Sequence, residues 1–315
     1  MLIFLFTFIK CILFILIILC AVAFFTLLER KVLSYIQSRK GPNTVGLKGL
    51  LQPFRDAVKL FSKNQWSPIF VNYFIYIISP ILVLFLSLLC WRTTPCLHGI
   101  LNFNLTLIFL ICLFSVSVYP PIGAGWSSNS KYSMLGALRT VAQTISYEVS
   151  IVVIIVTIAI FPIRYNLIDL RDYQTSNWLL WAAAPLALVW FVSSLAETNR
   201  TPFDFAEGES ELVSGFNTEY GGSGFAFFFI GEYRRIIFMI IILSLIFFGA
   251  NQRIFFYVKI ALLRYLIVLV RATLPRLRYD KLIDIAWKRF LPITLNYLGF
   301  VAGTTRLFTI YQSLL

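Results

Sequence analysis

Charged side chains are scarce in this chain of 315 residues: they make up 13% of the sequence, whereas hydrophobic residues make up 59%. In a soluble globular domain about 25% of the residues are charged, and apolar residues stay near 45–50%. The composition therefore excludes an ordinary soluble domain. It predicts that most of the chain lies in a membrane, with no separate soluble domain left over.

Metal-ligating side chains are also few. His98 is the only histidine, and the cysteines lie in or beside apolar runs without CxxC spacing. The five cysteines are Cys11, Cys20, Cys90, Cys96 and Cys112. We therefore expect no zinc site, no iron–sulfur cluster and no disulfide framework. Because Gly221-Gly-Ser-Gly is too short to be a dinucleotide-binding fingerprint, we expect no flavin site either.

Apolar runs recur along the chain at the length of a transmembrane helix, which is about 20 residues. The eight runs lie near residues 2–28, 69–91, 101–124, 135–160, 178–195, 222–248, 254–270 and 291–311. The first run is too long for a signal-peptide core and has no small-residue cleavage site, so we expect it to be retained. The pattern predicts an all-α, polytopic membrane protein of about eight transmembrane helices, with residues 1–315 in one transmembrane domain.

The formal net charge is +13. The basic residues flank apolar runs instead of forming a soluble patch, so we expect no nucleic-acid partner. The connection after the first run is rich in lysine and arginine, and by the positive-inside rule it faces the cytoplasm or the mitochondrial matrix. An even number of spans then puts both termini on the opposite side.

Residues 47–63 have apolar side chains at helical spacing on one face and basic or polar side chains on the other. This pattern predicts an amphipathic helix that lies in the plane of the membrane interface. Two interpretations stay open: the helix is an anchor on the lipid surface, or it forms one wall of a binding site.

Acidic residues give the main functional signal. The chain has 14, and seven of them lie between Glu197 and Glu232, mostly in an acidic loop at residues 196–221. Two carboxylates about 5 Å apart, at an effective dielectric constant near 20, repel each other by roughly 3 kcal/mol. Such groups do not all ionise together, and a nearby charge moves protons between them. The loop is therefore a candidate proton relay; the alternative is a solvated acidic turn that balances the basic residues.

Three acids lie within or beside apolar spans. Glu148 and Glu232 interrupt apolar spans, and Glu29 closes the first one. An ionisable group inside a membrane is costly and usually functional. These acids could extend the loop into a chain that enters the bilayer. If the chain is helical from Asp204 onward, Asp204, Glu207 and Glu211 share one face.

Four motifs resemble a known family. They are Leu28-Glu-Arg-Lys-Val-Leu-Ser-Tyr-Ile-Gln37 followed by Arg39-Lys-Gly-Pro-Asn43, then Ala142-Gln-Thr-Ile-Ser-Tyr-Glu-Val149, then Glu197-Thr-Asn-Arg-Thr-Pro-Phe-Asp204 through Glu219-Tyr220, and Arg276-Leu-Arg-Tyr-Asp-Lys281. In this order they resemble the signatures of chain 1 of respiratory complex I, NADH-ubiquinone oxidoreductase. The resemblance covers essentially the whole chain.

The resemblance implies a subunit at the junction of the peripheral and membrane arms, which lines the ubiquinone tunnel and couples quinone reduction to proton translocation. The holoenzyme is the catalyst, and this chain would carry no redox centre. The implied tunnel residues are Arg30, Arg39, Phe54, Asp56, Lys59, Phe203, Phe229 and Arg278. The implied proton or coupling path is Glu148, Glu197, Asp204, Glu207, Glu209, Glu211, Glu219 and Glu232, and Arg200 is a candidate counter-ion.

The implied partners are the other membrane and peripheral-arm subunits of complex I, ubiquinone as a substrate, and membrane lipids. The implied location is the mitochondrial inner membrane, with a bacterial plasma membrane as the alternative. Two other functions stay open from the residues alone. A proton-coupled transporter would also bury acids between helices, although no inverted repeat is evident. A structural anchor for the soluble arm would use the acids only as docking charges.

Arg234 and Arg235 depart from the family pattern, which has small or apolar residues there. Buried arginines are expensive in a membrane. One explanation is that they pair with Glu232 or neighbouring acids. The other is that the gene is read with a different genetic code, since the chain has only three methionines but abundant isoleucine; at least one of the two would then not be arginine in the native protein.

Overall fold

The computed structural model describes residues 2–65, 67–95, 104–175, 177–205, 208, 212–249 and 253–314. Throughout these ranges the regular secondary structure is helical, without a β-strand, which confirms the predicted all-α polytopic fold. The α-helices are α1 (Leu2–Ile36), α2 (Gln52–Ser62), α3 (Tyr73–Cys90), α4 (Thr106–Val116), α5 (Tyr119–Ser127), α6 (Lys131–Ile160), α7 (Leu167–Tyr173), α8 (Leu179–Ala182), α9 (Ala184–Glu197), α10 (Gly222–Phe247), α11 (Arg253–Thr273), α12 (Tyr279–Ile285) and α13 (Leu291–Leu314).

Four segments of the described chain are long and apolar enough to cross a membrane: Leu5–Ile36, Tyr73–Thr93, Thr106–Ser127 and Lys131–Ile160. The other predicted spans coincide with α8 and α9, α10, α11 and α13. These later helices contain more polar and charged residues or are shorter. The count of eight spans therefore remains a prediction, whereas their helical conformation is observed.

The first helix is longer than the predicted span. At about 1.5 Å per residue, the 35 residues of α1 extend well beyond a hydrocarbon core of about 30 Å. The helix therefore continues past the bilayer, and its last two turns carry Glu29 and Arg30 to the polar end of the bundle.

Prolines divide two predicted spans. Pro120 and Pro121 lie at the start of α5, and Pro185 lies at the start of α9. A proline at the first helical positions is well tolerated, but it cannot continue a preceding helix because it has no N–H group. The third and fifth predicted spans are therefore each built from two consecutive helices.

The amphipathic segment also has two parts. A 3₁₀ turn, Leu47–Gly49, precedes the α-helix α2, which has Pro53 in its first turn. The polar residue Asp56 and the aromatic residues Phe54 and Phe61 all lie on α2. The helix contacts both α1 and α10, so it does not rest on lipid alone.

The core is centred on α10. Residues Ile236 to Phe247 of this helix are buried on every side, as expected for a helix that is apolar all round. It contacts α1, α3, α9 and α11. Since α10 also carries Glu232 and Arg235, the fold places charged side chains in the middle of the helix bundle.

Several connections meet at one end of the bundle. Arg200, in the acidic loop, bonds to Glu29 near the end of α1. The backbone N–H of Leu277, after α11, donates to the carbonyl of Pro202, and Ser133 at the start of α6 donates to the carbonyl of Phe216. The acidic loop is therefore held against the ends of three helices.

Candidate functional site

Glu197 is the last residue of α9 and is only 2% exposed. Helix α9 ends there because Asn199 adopts a left-handed conformation, with φ 49°, which asparagine tolerates better than most residues. A carboxylate at a helix C-terminus is disfavoured by the helix dipole. Arg235 of α10 offsets this cost, since its Nη1 lies 3.4 Å from Oε1 of Glu197.

Glu197 and Glu232 line the same small cavity, together with Arg235. Polar groups of its wall come from Ser87, Ser117, Thr198 and Asn199. The cavity has about 40 Å³ of space for water-sized molecules, and one water molecule needs roughly 10–15 Å³. We call this space the acidic cavity; it can hold a few water molecules between the two carboxyl groups.

Glu148, on α6, is the third acid of this region. Its Oε1 accepts a hydrogen bond of 2.5 Å from the Ser115 hydroxyl of α4. It also interacts electrostatically with Glu197. Three helices, α6, α9 and α10, therefore each bring one carboxyl group to the region.

A second buried cluster is centred on Glu29, which is 5% exposed. Arg200 donates to its Oε1 at 3.2 Å, Arg271 of α11 donates to the same oxygen, and the Tyr233 hydroxyl donates to Oε2 at 2.7 Å. Charge-assisted hydrogen bonds of this kind are stronger than neutral ones. The cluster therefore ties together α1, α10, α11 and the start of the acidic loop.

Arg200 is the shared cation of the two regions. Burial alone would lower the pKa of Arg200, but the acidic groups of Tyr233, Glu29 and Glu232 outweigh burial and raise that pKa above its ordinary value. The guanidinium also lies 4.4 Å from the centre of the Tyr233 ring, a cation–π distance. Arg200 therefore stays positively charged and interacts with both Glu29 and Glu232; its role as a counter-ion stays a prediction.

The first loop contributes an exposed ion pair next to these clusters. Arg30 donates to Oδ2 of Asp56 at 2.5 Å, and Gln52 donates to Oδ1 of the same carboxylate at 3.1 Å. The pair joins the inner end of α1 to α2. Because both partners are partly exposed to solvent, the ion pair adds little to the free energy of unfolding. Its main effect is to hold α2 against α1.

Aromatic side chains follow the junction of α1, α2 and α10. Phe54 contacts Phe24 of α1, with ring centroids 6.0 Å apart, and Phe61 contacts Phe227 of α10 at 6.1 Å. Phe229 stacks on Tyr233 at 5.9 Å. Phe54 and Phe61 remain 44% and 52% exposed. We call these rings the aromatic seam; its Phe54 and Phe61 lie on α2, and its Tyr233 also belongs to the Glu29 cluster.

Comparison with known proteins assigns the chain to a family. A family model described as NADH dehydrogenase matches residues 9–302. The chain belongs to this family. It is 56% identical over 283 residues to NADH-ubiquinone oxidoreductase chain 1 of Aedes aegypti, covering 90% of both chains. It is 52% identical over 299 residues to the chain of that name from Locusta migratoria, covering 94% of this chain and 95% of the relative. It is 49% identical over 288 residues to the chain of that name from Carassius auratus, covering 89% of both chains.

Of the acids implied by the resemblance to chain 1, the structure brings together Glu148, Glu197 and Glu232. Asp204 is half-buried in the turn that follows Phe203, and it is not helical, so the shared helical face does not begin there. Glu219 lies at the other end of the acidic loop, where its carbonyl accepts a 2.7 Å hydrogen bond from the Tyr76 hydroxyl. Glu207, Glu209 and Glu211 lie outside the described residues.

The implied chain 1 tunnel residues are more dispersed. Arg30, Asp56, Phe54 and Phe229 lie on the ion pair and the aromatic seam described above. By contrast, Phe203 is buried in the core against Tyr147, with ring centroids 6.0 Å apart. A final group is exposed: Lys59, Arg39 beside Gln37, and Arg278 paired with Asp280.

Several residues of the site were not in the sequence-based set. Arg271 and Tyr233 complete the Glu29 cluster, Ser115 bonds Glu148, and Gln143 holds the turn after α9. Gln143 was within a recognised motif, but without a charge it gave no signal of its own. A search for all polar side chains inside apolar spans, charged or neutral, would have found these residues better than a search for charged side chains alone.

The described ranges contain no group of three His, Cys, Asp or Glu side chains close enough to hold a metal ion. The expectation that this chain binds no metal, flavin or iron–sulfur cluster remains an expectation, because parts of the acidic loop lie outside these ranges.

Proposed function

We propose that the chain is a core membrane subunit of proton-translocating NADH:ubiquinone oxidoreductase, complex I. In this role it lines part of the access path of ubiquinone and couples quinone reduction to proton movement through its acidic residues. The observation that carries the proposal is the acidic cavity, which both Glu197 and Glu232 line. Family membership supplies the reaction to which this cavity belongs.

The acidic path would run through the three carboxyl groups of α6, α9 and α10. A few water molecules in the cavity would connect Glu197 to Glu232, and Glu148 would interact with Glu197 from α6. Arg235 partly neutralises the charge of Glu197. In this proposal, a proton that binds to or leaves one carboxyl group changes the electrostatic interactions of that group with Arg235 and with the other acids. A solvated acidic turn would not bury Glu197 in this way, and the structure gives no specific support to a stand-alone transporter.

The quinone path would follow the aromatic seam. An isoprenoid tail needs an apolar route that opens to lipid, and the half-exposed rings of Phe54 and Phe61 offer such a surface. The route leads to Tyr233, which bonds Glu29 and directly follows Glu232 in α10. Charge changes near the quinone would therefore reach the acidic cavity through Arg200, which interacts with both Glu29 and Glu232.

In this proposal the electrons come from partner subunits of the peripheral arm, and ubiquinone is a substrate that the chain shares with them. The other membrane subunits and lipids surround the remaining faces. We propose the mitochondrial inner membrane as the location, with several spans, because the similar chains from two insects and a fish are named NADH-ubiquinone oxidoreductase chain 1 and the described chain has four helices long and apolar enough to cross a membrane.

The test is an assembled complex that carries Glu197→Gln, assayed for NADH-driven quinone reduction and proton pumping. We expect at least one of these activities to fall by roughly tenfold or more, because the substitution removes a protonatable group from the path. The matched control is Asp172→Asn, which changes an exposed acid that pairs with its neighbour Arg171. We expect this control to retain both activities.

Unchanged reduction and pumping in an assembled Glu197→Gln complex would favour the structural-anchor function, in which the acids serve only as docking charges. Loss of both activities in the control as well would mean that the assay reports assembly and not the acidic path.

A further inference from the structure

Gln143, on α6, lies beneath the turn that joins α9 to the acidic loop. Its side chain is completely buried. The single Nε2 group donates two hydrogen bonds, one of 2.8 Å to the carbonyl of Ala196 and one of 2.9 Å to the carbonyl of Phe203. One carboxamide therefore bridges the two ends of the turn.

The two bonded carbonyls belong to the residues that directly precede the acids Glu197 and Asp204. Within the turn itself, the backbone N–H of Phe203 donates to the carbonyl of Arg200 at 2.7 Å. Gln143 adds the connection from this turn to α6, the helix that also carries Glu148 five residues later. One neutral side chain thus links by hydrogen bonds the helix that carries Glu148 to the residues that precede Glu197 and Asp204.

The bonding pattern indicates that the donor is the useful part of this side chain. Oε1 of Gln143 has no hydrogen-bond partner among the described residues. A buried carboxamide is costly unless its polar atoms are paired, so an apolar residue of similar length would fill this space more cheaply. What an apolar residue cannot do is hold the two carbonyls at either end of the turn.

We propose that Gln143 is a positioning residue for the acidic path, which sets Glu197 and Asp204 relative to Glu148 by fixing both ends of the turn against α6. The inference rests on the proposed function of these acids. Gln143 itself carries no proton and touches no quinone in this account.

The chain offers a matched control in Gln174. This residue is also buried, at 1% exposure, and its Nε2 donates to the carbonyls of Leu245 and Ile246 at 3.2 and 2.8 Å. It has the same side chain and the same two-carbonyl bonding, but it lies near the opposite end of α10, away from Glu232. Removal of either amide group deletes two hydrogen bonds from a buried side chain to backbone carbonyls.

The experiment compares Gln143→Met and Gln174→Met in the assembled complex. The measured quantities are the thermal unfolding midpoint and the kcat and KM for NADH-driven reduction of a soluble short-chain quinone. We expect both variants to lower the unfolding midpoint by similar amounts. Only Gln143→Met should lower kcat, by roughly tenfold to hundredfold, because small displacements of reacting groups have effects of this size. Its KM should stay unchanged because the aromatic seam is intact.

A second variant, Gln143→Asn, covers the case in which Gln143→Met does not assemble. It keeps the amide on a shorter side chain that can reach one carbonyl but not both, and we expect an intermediate kcat. Wild-type kcat in whichever Gln143 variant assembles would overturn the inference, and so would an equal loss of kcat in Gln174→Met. If Glu197→Gln is impaired while the Gln143 variants are not, the positioning role fails and the proposed function stands. If Glu197→Gln and the Gln143 variants are all fully active, both the positioning role of Gln143 and the proposed function fail.

Discussion

Among single residues, Arg234 has the surroundings that least suit its charge. It is 0% exposed, and Nη1 donates to the Leu84 carbonyl and the Ser87 hydroxyl at 3.3 and 3.2 Å. Its Nε and Nη2 have no hydrogen-bond partner among the described residues. By contrast, Arg235 pairs with Glu197. Of the two explanations for this arginine pair, ion pairing therefore accounts for Arg235 but not for Arg234.

We expect that position 234 of the protein isolated from its membrane is not arginine. An uncompensated arginine at the middle of a membrane helix costs roughly 2.5–3.5 kcal/mol, and a change in codon meaning would remove this cost. The measurement is mass spectrometry of chymotryptic peptides that span residues 230–238. A peptide mass that requires arginine at both 234 and 235 would contradict the prediction.

The sequence offered Arg200, Arg234 and Arg235 as candidate partners of the acids but not Arg271 or Tyr233, and the Glu29 cluster shows why. Arg200 and Arg271 lie 171 and 242 positions away from Glu29 along the chain. No local spacing rule connects residues so far apart, because only the packing of α1 against α10 and α11 brings them together. The clustering of acids singled out Glu197, and the cost of burying a charge singled out Glu148 and Glu232. A neutral side chain such as Gln143 gives neither signal.

Among the helices, the contact between α5 and α6 depends on close approach of their backbones. Gly125 of α5 is buried, and a Cβ atom placed there would overlap the side chain of Ala137 and lie 2.9 Å from the Ser133 carbonyl oxygen. The hydroxyl of Ser133, in turn, donates to the carbonyl of Phe216 in the acidic loop. Helix packing at this point therefore also supports the loop.

We expect Gly125→Ala to destabilise the protein by about 1–3 kcal/mol, the usual cost of overpacking a tight site. The control is Gly299→Ala in α13, where a Cβ atom would meet nothing within 4 Å. That change should be neutral or stabilising by about 0.5–1 kcal/mol, because alanine loses less backbone entropy in a helix. Thermal unfolding of the purified protein in detergent checks both; equal effects would show that the α5–α6 contact is not tightly packed.

Helix boundaries were the part of each element that hydropathy predicted least well. The third and fifth spans each break at prolines, which a sliding hydropathy window averages over, and α1 continues through Glu29 and Arg30 although hydropathy falls there. Hydropathy measures the cost of leaving lipid, whereas a helix ends where its backbone hydrogen bonds end. The two coincide only when the bilayer surface and the helix terminus lie at the same place.

At the scale of the whole molecule, the charged loops and the buried acids of the site lie toward the same end of the helix bundle. The basic first loop, the acidic loop and the connection after α11 meet at one end of the bundle, and the acidic cavity lies just inside it between α9 and α10. The Glu29 cluster occupies the junction between this cavity and the aromatic seam. The arrangement places a protonatable group beside each part of the proposed route from quinone to proton path.

A double-mutant cycle measures whether Glu197 and Glu232 act as one unit through the acidic cavity. The proton-pumping rate per complex is measured for Glu197→Gln, for Glu232→Gln and for the double variant. Residues in one network show non-additive effects, so we predict that the double variant loses no more activity than the more damaging single variant. Losses that multiply, as for independent sites, or wild-type pumping in both single variants would show that the two carboxyl groups do not act together in proton pumping.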